Sequence, residues 1–376
     1  MKKICTIILC FMALTLCVSC LGEIASPAME FTNIVYQPRH ATGFLIAEDE
    51  AHNRLLRVTR PWQGEELKEQ TLAIFNSAEE AQGYKGQYIV GPAKRVVCMS
   101  TSHVAMLDAV GCVGAIVGLS GKDYVMNETI AQRTEVLDVG YDSNLDYEAL
   151  LSLHPDLVLM YGITAENGAQ TAKLRELRIP YIYLGDYTEQ SPLGKAEWVV
   201  AVAEIVGVQE AGIATFSEVE QRYLEVKGSI STEGSRPKVM LNTPYQDVWY
   251  MPSDDSYMVQ LIEDAGGEYI YKGNNPTGGS RGIGLEEALT LVGSADIWLN
   301  PSQCLTLEEL RRSVPHFANC GVVERGDVYN NNHRRSPKGG SDFWESAIVR
   351  PDRVLSDLKI IMEGGEDELY YHHRLR

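Results

Sequence analysis

The sequence predicts an α/β fold with two three-layer lobes on mainly parallel sheets, one long helix between them, and a small β-rich N-terminal extension. Three observations support this prediction. A helix followed by an apolar strand at 145–161 recurs loosely at 284–300. From residue 95 onward, apolar strand-like runs alternate with helical patterns, which is typical of parallel sheets. Residues 29–95 contain short β-prone runs separated by turn residues.

The first twenty residues have the layout of a bacterial secretory signal. Two lysines precede an apolar run at 4–18 that is too short to span a bilayer comfortably, and Ser19-Cys20 follows. This arrangement resembles a lipoprotein signal, in which Cys20 becomes the lipidated first residue. An ordinary secreted protein with a chance cysteine is the alternative. No later run is apolar and long enough to span a membrane.

Each predicted element follows from periodicity and turn residues. In the extension we predict strands at 44–46, 54–59, 71–75 and 87–90. The first lobe should contain strands at 95–99, 115–119, 156–161 and 180–184, with helices at 104–110, 148–153, 170–177 and 193–206. The second should contain strands at 238–241, 248–251, 296–299 and 328–329, with helices at 307–312 and 344–362. The predicted divisions are a signal peptide (1–19), extension (20–93), lobe 1 (94–208), connecting helix (209–230) and lobe 2 (231–376).

The helix predicted at 209–227 is longer than its neighbours. Phe216, Val219, Tyr223 and Val226 recur three or four residues apart and form its apolar face. At 1.5 Å per residue it is about 30 Å long, close to the width of a domain. It can therefore connect the two lobes along their whole width.

The overall charge excludes one class of function. The formal net charge is −18 and the sequence pI is about 4.9. Nucleic-acid binding requires a basic surface, so we predict no nucleic-acid partner. No cysteine and histidine spacing resembles a zinc site, and we predict neither a bound metal nor a resident cofactor.

Several runs together resemble the periplasmic substrate-binding proteins of iron-complex and cobalamin ABC importers. The strongest piece is Tyr147-Glu148 followed by 153–158, and the others are 94–103, 108–111, 145–160, 174–181, 295–300 and 326–330. The resemblance implies a rigid connecting helix and a periplasmic, lipid-anchored monomer. Such a protein captures a ferric siderophore, haem or cobalamin-type metal complex between its lobes and delivers it to an ABC permease dimer.

The resemblance also implies one docking glutamate on each lobe. These glutamates fall on Glu148 and Glu286, with Glu287 as the rival for the second position. A permease dimer with a basic pocket in each subunit could hold two carboxylates at a fixed separation. The alternative is that acidic residues simply favour the first turn of a helix.

The candidate ligand contacts follow from the rule that ligands bind beyond the carboxyl ends of parallel strands. In lobe 1 the rule selects Ser100, Thr101, Ser102, His103, Tyr124 and Tyr161, and in lobe 2 Tyr245, Trp249, Arg281 and Trp344. Aromatic rings and arginines suit a large, planar, partly anionic ligand. Core packing is the alternative for the two tryptophans, a solvated loop charge for Arg281, and a hydrogen-bonding or capping role for His103.

An enzyme is not predicted, and no catalytic residue is assigned. The sequence has no G-x-S-x-G nucleophile elbow. The glycine-rich run at 278–282 lacks both the P-loop lysine spacing and the dinucleotide fingerprint. Two other functions remain open, namely a scavenging lipoprotein that works without a permease and a metal chelatase-like enzyme.

Overall fold

The computed structural model describes residues 30–63, 69–141, 143–163, 165–231, 234–365 and 367–376. The predicted signal peptide and the lipidation site at Cys20 lie outside the described residues. Within those residues, no helix is both long and apolar enough to cross a membrane.

The N-terminal extension forms a five-stranded sheet. Its strands follow chain order and pair antiparallel, except that the last two are parallel. They are β1 (Asn33–Tyr36), β2 (Phe44–Glu48), β3 (Arg54–Val58), β4 (Gln70–Phe75) and β5 (Gln87–Val90). The four predicted strands are confirmed. The first strand was missed because its residues are half exposed and show no apolar alternation.

Lobe 1 is built on a parallel sheet whose five strands lie in the spatial order Tyr181–Tyr183, Leu157–Met160, Val96–Cys98, Ile116–Leu119 and Leu137–Asp138. The buried strands carry almost only apolar residues, as expected for a sheet covered on both faces. The elements are β6 (Val96–Cys98), α1 (Thr101–Ala109), β7 (Ile116–Leu119), α2 (Glu128–Gln132), β8 (Leu137–Asp138), β9 (Gly140–Tyr141), β10 (Asn144–Leu145), α3 (Tyr147–Ser152), β11 (Leu157–Met160), α4 (Gly168–Glu176), β12 (Tyr181–Tyr183) and α5 (Pro192–Ile205).

The long helix α6 (Gln209–Gly228) agrees with its predicted position. Phe216, Val219 and Tyr223 are buried on one face, as the periodicity predicted. The helix is bonded to both lobes. Thr215 donates to the Ala109 carbonyl of lobe 1 at 3.4 Å, and the Tyr223 hydroxyl donates to Asp264 of lobe 2 at 2.7 Å. These contacts at both ends hold the helix against the two lobes.

Lobe 2 is built on a second sheet, parallel except for its last strand, with the spatial order Glu268–Tyr269, Lys238–Leu241, Ile297–Leu299, Val328–Asn330 and His373–Arg374. The strands Val248–Met251 and Arg281–Gly284 form a separate antiparallel pair. The elements are β13 (Lys238–Leu241), β14 (Val248–Met251), α7 (Tyr257–Asp264), β15 (Glu268–Tyr269), β16 (Arg281–Gly284), α8 (Leu285–Gly293), β17 (Ile297–Leu299), α9 (Leu307–Ser313), α10 (Gly321–Arg325), β18 (Val328–Asn330), α11 (Pro351–Met362) and β19 (His373–Arg374).

The predicted helix at 344–362 is wrong at its start. The chain forms two 3-10 turns, Asp342–Trp344 and Ser346–Val349, before α11 begins at Pro351. Proline disfavours the helical conformation in the residue before it, and Arg350 has an extended φ of −132°. Proline itself suits the first position of a helix. This break orients Trp344 independently of the helix.

Candidate ligand cleft

A cavity of about 1330 Å³ lies between the two lobes. Its walls come from the carboxyl ends of strands in both lobes, as the strand-end rule requires. The lobe 1 side includes 99–102, Tyr161 and 186–190, together with Pro192 and Lys195 of α5. The lobe 2 side includes Asn242, 256–258 and 278–280, together with residues between Phe343 and Val354. Thr59, Arg60, Trp62 and Gln63 from the N-terminal sheet also line it.

The loop after β6 forms the first part of the lobe 1 wall. Ser100 is the N-cap of α1, and its hydroxyl accepts a hydrogen bond from the Ser102 backbone N–H at 3.2 Å. The Ser100 and Ser102 hydroxyls also share a hydrogen bond of 2.8 Å. N-terminal backbone N–H groups of a helix carry partial positive charge. This turn therefore presents hydroxyl and N–H groups to the cavity.

A buried charge cluster forms the second part of the same wall. The Lys195 ammonium donates to the Asp186 carbonyl at 2.9 Å and lies 4.7 Å from the ring centroid of Tyr257 in lobe 2. Burial raises the pKa of Asp186 to about 6 and lowers the pKa of Lys195. The Glu189 carboxylate is also buried and accepts hydrogen bonds from the Thr42 and Gly43 backbones. The carboxylates of Asp186 and Glu189 both favour the charged form of the lysine electrostatically.

The lobe 2 wall is mainly apolar and aromatic. Trp344 is 59% exposed at the cavity, and the Phe343 ring packs edge-on against it at 5.1 Å. Tyr257 and Met258 come from the first turn of α7. The glycine-rich loop at 278–280 is held by the Ser253 hydroxyl, which donates to the Gly278 carbonyl at 2.7 Å.

Hydrogen bonds connect the two lobes at the edges of the cleft. The Gln190 side-chain amide of lobe 1 donates to Asp255 of lobe 2 at 2.8 Å. The Glu345 carboxylate of lobe 2 accepts from the backbone N–H groups of Met126 and Asn127, both at 2.7 Å. Burial raises the pKa of Glu345 to about 7. These contacts fix the separation of the two walls in this structure.

The donor set does not suit a bare metal ion. In the part of the chain that the structure describes, no group of three or more histidine, cysteine, aspartate or glutamate side chains could hold a metal. The cavity instead combines aromatic faces, hydroxyls and a compensated charge cluster. It can surround a ligand that brings its own metal ligands.

Residues 96–330 match the family model described as periplasmic binding protein. The chain belongs to this family. An uncharacterized lipoprotein of Methanocaldococcus jannaschii is 27% identical over 309 residues, covering 79% of this chain and 71% of that protein. A cobalamin-binding protein of Halobacterium salinarum is 27% identical over 186 residues, covering 49% of this chain and 48% of that protein. A periplasmic haem-binding protein from Pseudomonas aeruginosa has a similar fold, with a TM-score of 0.58 at 16% identity, covering 76% of this chain and 98% of that one.

Membership of the periplasmic binding protein family agrees with the observed lobes, and five of the ten predicted contact residues line the cavity between them. They are Ser100, Thr101, Ser102, Tyr161 and Trp344. Their contact with a ligand stays a prediction. Burial raises the pKa of Tyr161 to about 12, so its phenol is protonated at neutral pH.

Three other predicted residues are exposed but lie away from the cavity lining. Tyr124 is in a 3-10 turn next to the lobe contact, where Gly340 approaches its carbonyl so closely that a β-carbon would not fit. Tyr245 is in the turn before β14. Arg281 begins β16 and donates to the Asn274 carbonyl at 2.9 Å. The strand-end rule predicted these three residues as ligand contacts, but it does not fix which way a side chain points.

His103 and Trp249 are corrections, because both are fully buried away from the cavity. His103 is in α1 on the side facing the lobe 1 core, and burial lowers its pKa to about 3. Trp249 donates its indole N–H to the Leu241 carbonyl at 2.8 Å and packs against Trp298 and Phe317. Core packing, the alternative reading, describes Trp249.

The two candidate docking glutamates are both exposed in the first turns of surface helices, Glu148 in α3 and Glu286 in α8. Asp146 already caps α3 by accepting from the Glu148 and Ala149 backbones at 3.0 and 2.9 Å. Each glutamate is followed three residues later by an exposed leucine, Leu151 and Leu289. Residues at this spacing lie on the same face of a helix, so the two lobes present the same pair of side chains.

Sequence reasoning missed Lys195, the segment 59–63, and the lining residues of lobe 2 within 252–261 and 347–354. Lys195 was not predicted because the strand-end rule considers loops, whereas Lys195 is in α5. A signal was present, since Lys195 is a cation within an otherwise largely apolar helix. The segment 59–63 was missed because the extension was considered separately from the lobes.

Proposed function

We propose that this protein captures a large metal complex of the corrinoid class in the cleft and delivers it to the permease dimer of an ABC importer. The observation that carries this proposal is the cavity between the lobes, with its aromatic lining and compensated charges. Capture requires no chemical change in the ligand, and the proposed role is binding without catalysis.

The volume of the cavity favours a ligand larger than most cofactors. Pockets for drug-sized molecules have volumes of roughly 300–1,000 Å³, and this cavity has about 1330 Å³. A macrocycle with bulky substituents would use this space, whereas a bare ion or a small ferric chelate would leave much of it to water.

The chemistry of the walls favours a ligand with little net charge. Asp186 and Glu189 electrostatically favour the charged form of Lys195, so the lysine charge is offset within the buried part of the cleft. Tyr161, Tyr187, Tyr257 and Trp344 supply ring faces and edges for a macrocycle. The cobalamin-binding relative of Halobacterium salinarum supports the same ligand class.

Haem is the second candidate, and Tyr161 is the observation in its favour. A phenol that lines the cavity could approach a haem iron. Its raised pKa opposes the phenolate form that would bind ferric iron well. Among the residues that the structure describes, no histidine lines the cavity, and His103 is inside the lobe 1 core. A corrinoid needs no such ligand from the protein, and we therefore place it first.

Delivery to a permease is supported by the matched pairs on α3 and α8. An exposed carboxylate and an exposed leucine on each lobe would give a dimeric partner two equivalent contacts. The cross-lobe hydrogen bonds and α6 would hold these contacts at one separation. A scavenging lipoprotein that hands its ligand to another protein would not need this duplication.

The proposed location is outside the cytoplasm, with the protein anchored through a lipid on Cys20. The lipoprotein relative supports this proposal. A Cys20→Ala variant should move from the membrane fraction to the soluble extracytoplasmic fraction. A variant that is secreted correctly and still partitions with membranes would contradict the anchor.

The ligand proposal is tested by absorbance titration and native mass spectrometry of the purified protein. Cyanocobalamin should bind in a 1:1 complex more tightly than haemin or ferrioxamine B. Tighter binding of haemin, lost in Tyr161→Phe, would instead favour the second candidate. Binding of none of the three would overturn the proposed function.

A further inference from the structure

The N-terminal sheet is outside the region shared with the family. The family match begins at residue 96, after β5 has ended. The haem-binding structure is covered to 98% by only 76% of this chain. This sheet is therefore an addition to the part of the fold that the family model covers, and its contribution to the cleft cannot be inferred from that part.

The added sheet is fixed to lobe 1 through two buried glutamates. Glu197 accepts hydrogen bonds from the backbone N–H groups of 39–41 at 2.7–2.9 Å, and from the Tyr36 hydroxyl at 2.8 Å. Glu189 accepts from the next two residues and from the Trp198 indole at 3.0 Å. The Phe44 ring packs 4.8 Å from the Trp198 ring. These bonds make the sheet part of the lobe 1 body.

The loop leaving β3 is held at the rim of the cleft. The Arg60 carbonyl accepts a hydrogen bond from the Thr188 hydroxyl at 3.2 Å, and it lies so close to Gly185 that a β-carbon there would collide with it. The Gln63 backbone N–H donates to the Ile163 carbonyl at 3.0 Å. The Trp62 ring packs edge-on against Tyr183 at 5.4 Å. The loop position is thus set by contacts at several points.

This loop supplies an exposed positive charge, which the rest of the described cavity lining lacks. Two cationic side chains line the described part of the cavity, Arg60 and Lys195. Lys195 is buried and compensated, whereas Arg60 is exposed and has no acidic partner among the described residues. The backbone of Arg60 is held in place, and its guanidinium has no acidic partner among the described residues. It can therefore pair with a carboxylate or phosphate of a ligand.

We propose that residues 59–63 form a third wall of the cleft, in which Arg60 pairs with an anionic group on the periphery of the ligand and Trp62 covers the adjacent apolar edge. This inference rests on the proposed function, and it adds the substituent that the ligand must carry. Both a phosphodiester and a carboxylate fit Arg60, and a corrinoid with a nucleotide loop supplies the first while haem supplies the second.

The test compares ligand pairs that differ in the anionic group. The first pair is cyanocobalamin, which has a phosphodiester, and dicyanocobinamide, which lacks it. The second pair is haemin and its dimethyl ester, which lacks free carboxylates. Whichever pair the protein binds, Arg60→Gln should lower the affinity for its anionic member by about ten-fold or more, because a charge-assisted hydrogen bond is lost. The member without the anion should bind the variant and the wild-type protein equally.

Three variants complete the experiment. Arg60→Lys should recover part of the affinity, because it keeps the charge without the bidentate geometry. Lys85→Gln removes an exposed charge from the loop before β5, away from the lining, and should change the affinity for neither member of the pair. Trp62→Leu should lower the affinity for both members of the pair to the same extent. Thermal unfolding of each variant checks that the fold is retained.

The outcomes separate this inference from the function it rests on. Suppose that wild-type protein binds both members of a pair and that Arg60→Gln lowers the affinity for both equally or for neither. In that case Arg60 does not recognise the anionic group, the third wall is rejected, and the proposed function stands. If wild-type protein binds none of the four compounds, both proposals are overturned. The pair that responds identifies phosphate or carboxylate as the recognised group.

Discussion

The two walls of the cleft are built in different ways. On the lobe 1 side, Asp186, Glu189 and Lys195 are buried. Lys195 donates a hydrogen bond to the Asp186 backbone carbonyl, and Glu189 accepts one from the Thr42 backbone of the N-terminal extension. On the lobe 2 side, Trp344 is largely exposed and the loop at 278–280 presents glycine and serine. The lobe 1 wall is a preformed surface, whereas the lobe 2 wall has apolar area that a ligand can still cover. Most of the gain in buried apolar area on binding should therefore come from lobe 2.

The two lobes match in the exposed glutamate and leucine of α3 and α8, and these two helices give the largest expected effect. Reversing Glu148 and Glu286 together to lysine should abolish uptake, because like charges would then meet at the permease surface. Each single reversal should give a partial defect, since the other lobe can still dock. Ligand affinity of the purified double variant should stay near the wild-type value, because neither residue lines the cavity.

The control for this experiment is Glu308→Lys, which changes an exposed glutamate of α9 and should transport normally. Normal transport by the Glu148 and Glu286 double variant would show that the likeness of the two lobes has no role in docking. A scavenger without a permease would show no uptake defect in any of these variants.

Within lobe 2, we expect Trp249 to contribute mainly to core packing and Trp344 mainly to ligand binding. Trp249→Ala should lower the free energy of unfolding by about 3–5 kcal/mol, because it leaves a cavity in the core and removes the hydrogen bond to Leu241. Trp344→Ala should leave stability nearly unchanged, since its side chain is mostly exposed. Denaturant unfolding measures both. Equal losses in the two variants would contradict the placement of Trp249 in the core.

The same pair should respond in the opposite order when affinity is measured. Covering a large aromatic side chain contributes roughly 1.5–3 kcal/mol, so Trp344→Ala should weaken ligand binding about ten-fold or more. Leu305→Ala, an exposed apolar residue of lobe 2 away from the lining, is the matched control. Unchanged affinity in Trp344→Ala would mean that the lobe 2 wall contributes less than its exposed area suggests.

The smallest effect concerns the contact between the lobes. Burial raises the pKa of Glu345 to about 7, above its value of about 4.3 in an unfolded chain. The folded state therefore binds this proton more tightly, so the free energy of unfolding should fall by about 1–3 kcal/mol as the pH rises from 4 to 7. Asp342 and Asp108 face the same carboxyl and also oppose its ionisation.

Glu345→Gln should reduce this pH dependence, because glutamine stays neutral over the whole range. Denaturant unfolding at pH 5 and pH 7.5 measures the difference, and Glu308→Gln on the surface should behave as wild type. An unchanged pH dependence in Glu345→Gln would show that this carboxyl does not contribute to it.

Regular elements could be predicted from the sequence because their signal is local. The face of α6 followed from residues three or four positions apart, and the parallel strands followed from continuous apolar runs. The start of α11 was placed too early because the constraint imposed by Pro351 was not weighed against the apolar residues before it. The predicted boundaries of the domains remain predictions.

The cleft was harder to predict because its residues come from distant parts of the chain. The strand-end rule selected Ser100, Tyr161 and Trp344, and all three line the cavity. It could not distinguish Trp249, since adjacent residues of a strand point to opposite faces and the sequence does not state which face is covered. The contribution of 59–63 depends on how the added sheet docks on lobe 1, which is decided by Glu189 and Glu197.

If both walls hold one ligand at the same time, amide hydrogen exchange with and without cyanocobalamin should show it. Exchange should become slower in 99–102 and 186–190 of lobe 1 and in 278–280 and 343–348 of lobe 2. Exchange in α3 and α8, which face the permease in this account, should not change. Protection confined to one lobe, or found on α3 and α8 instead of the walls, would contradict it.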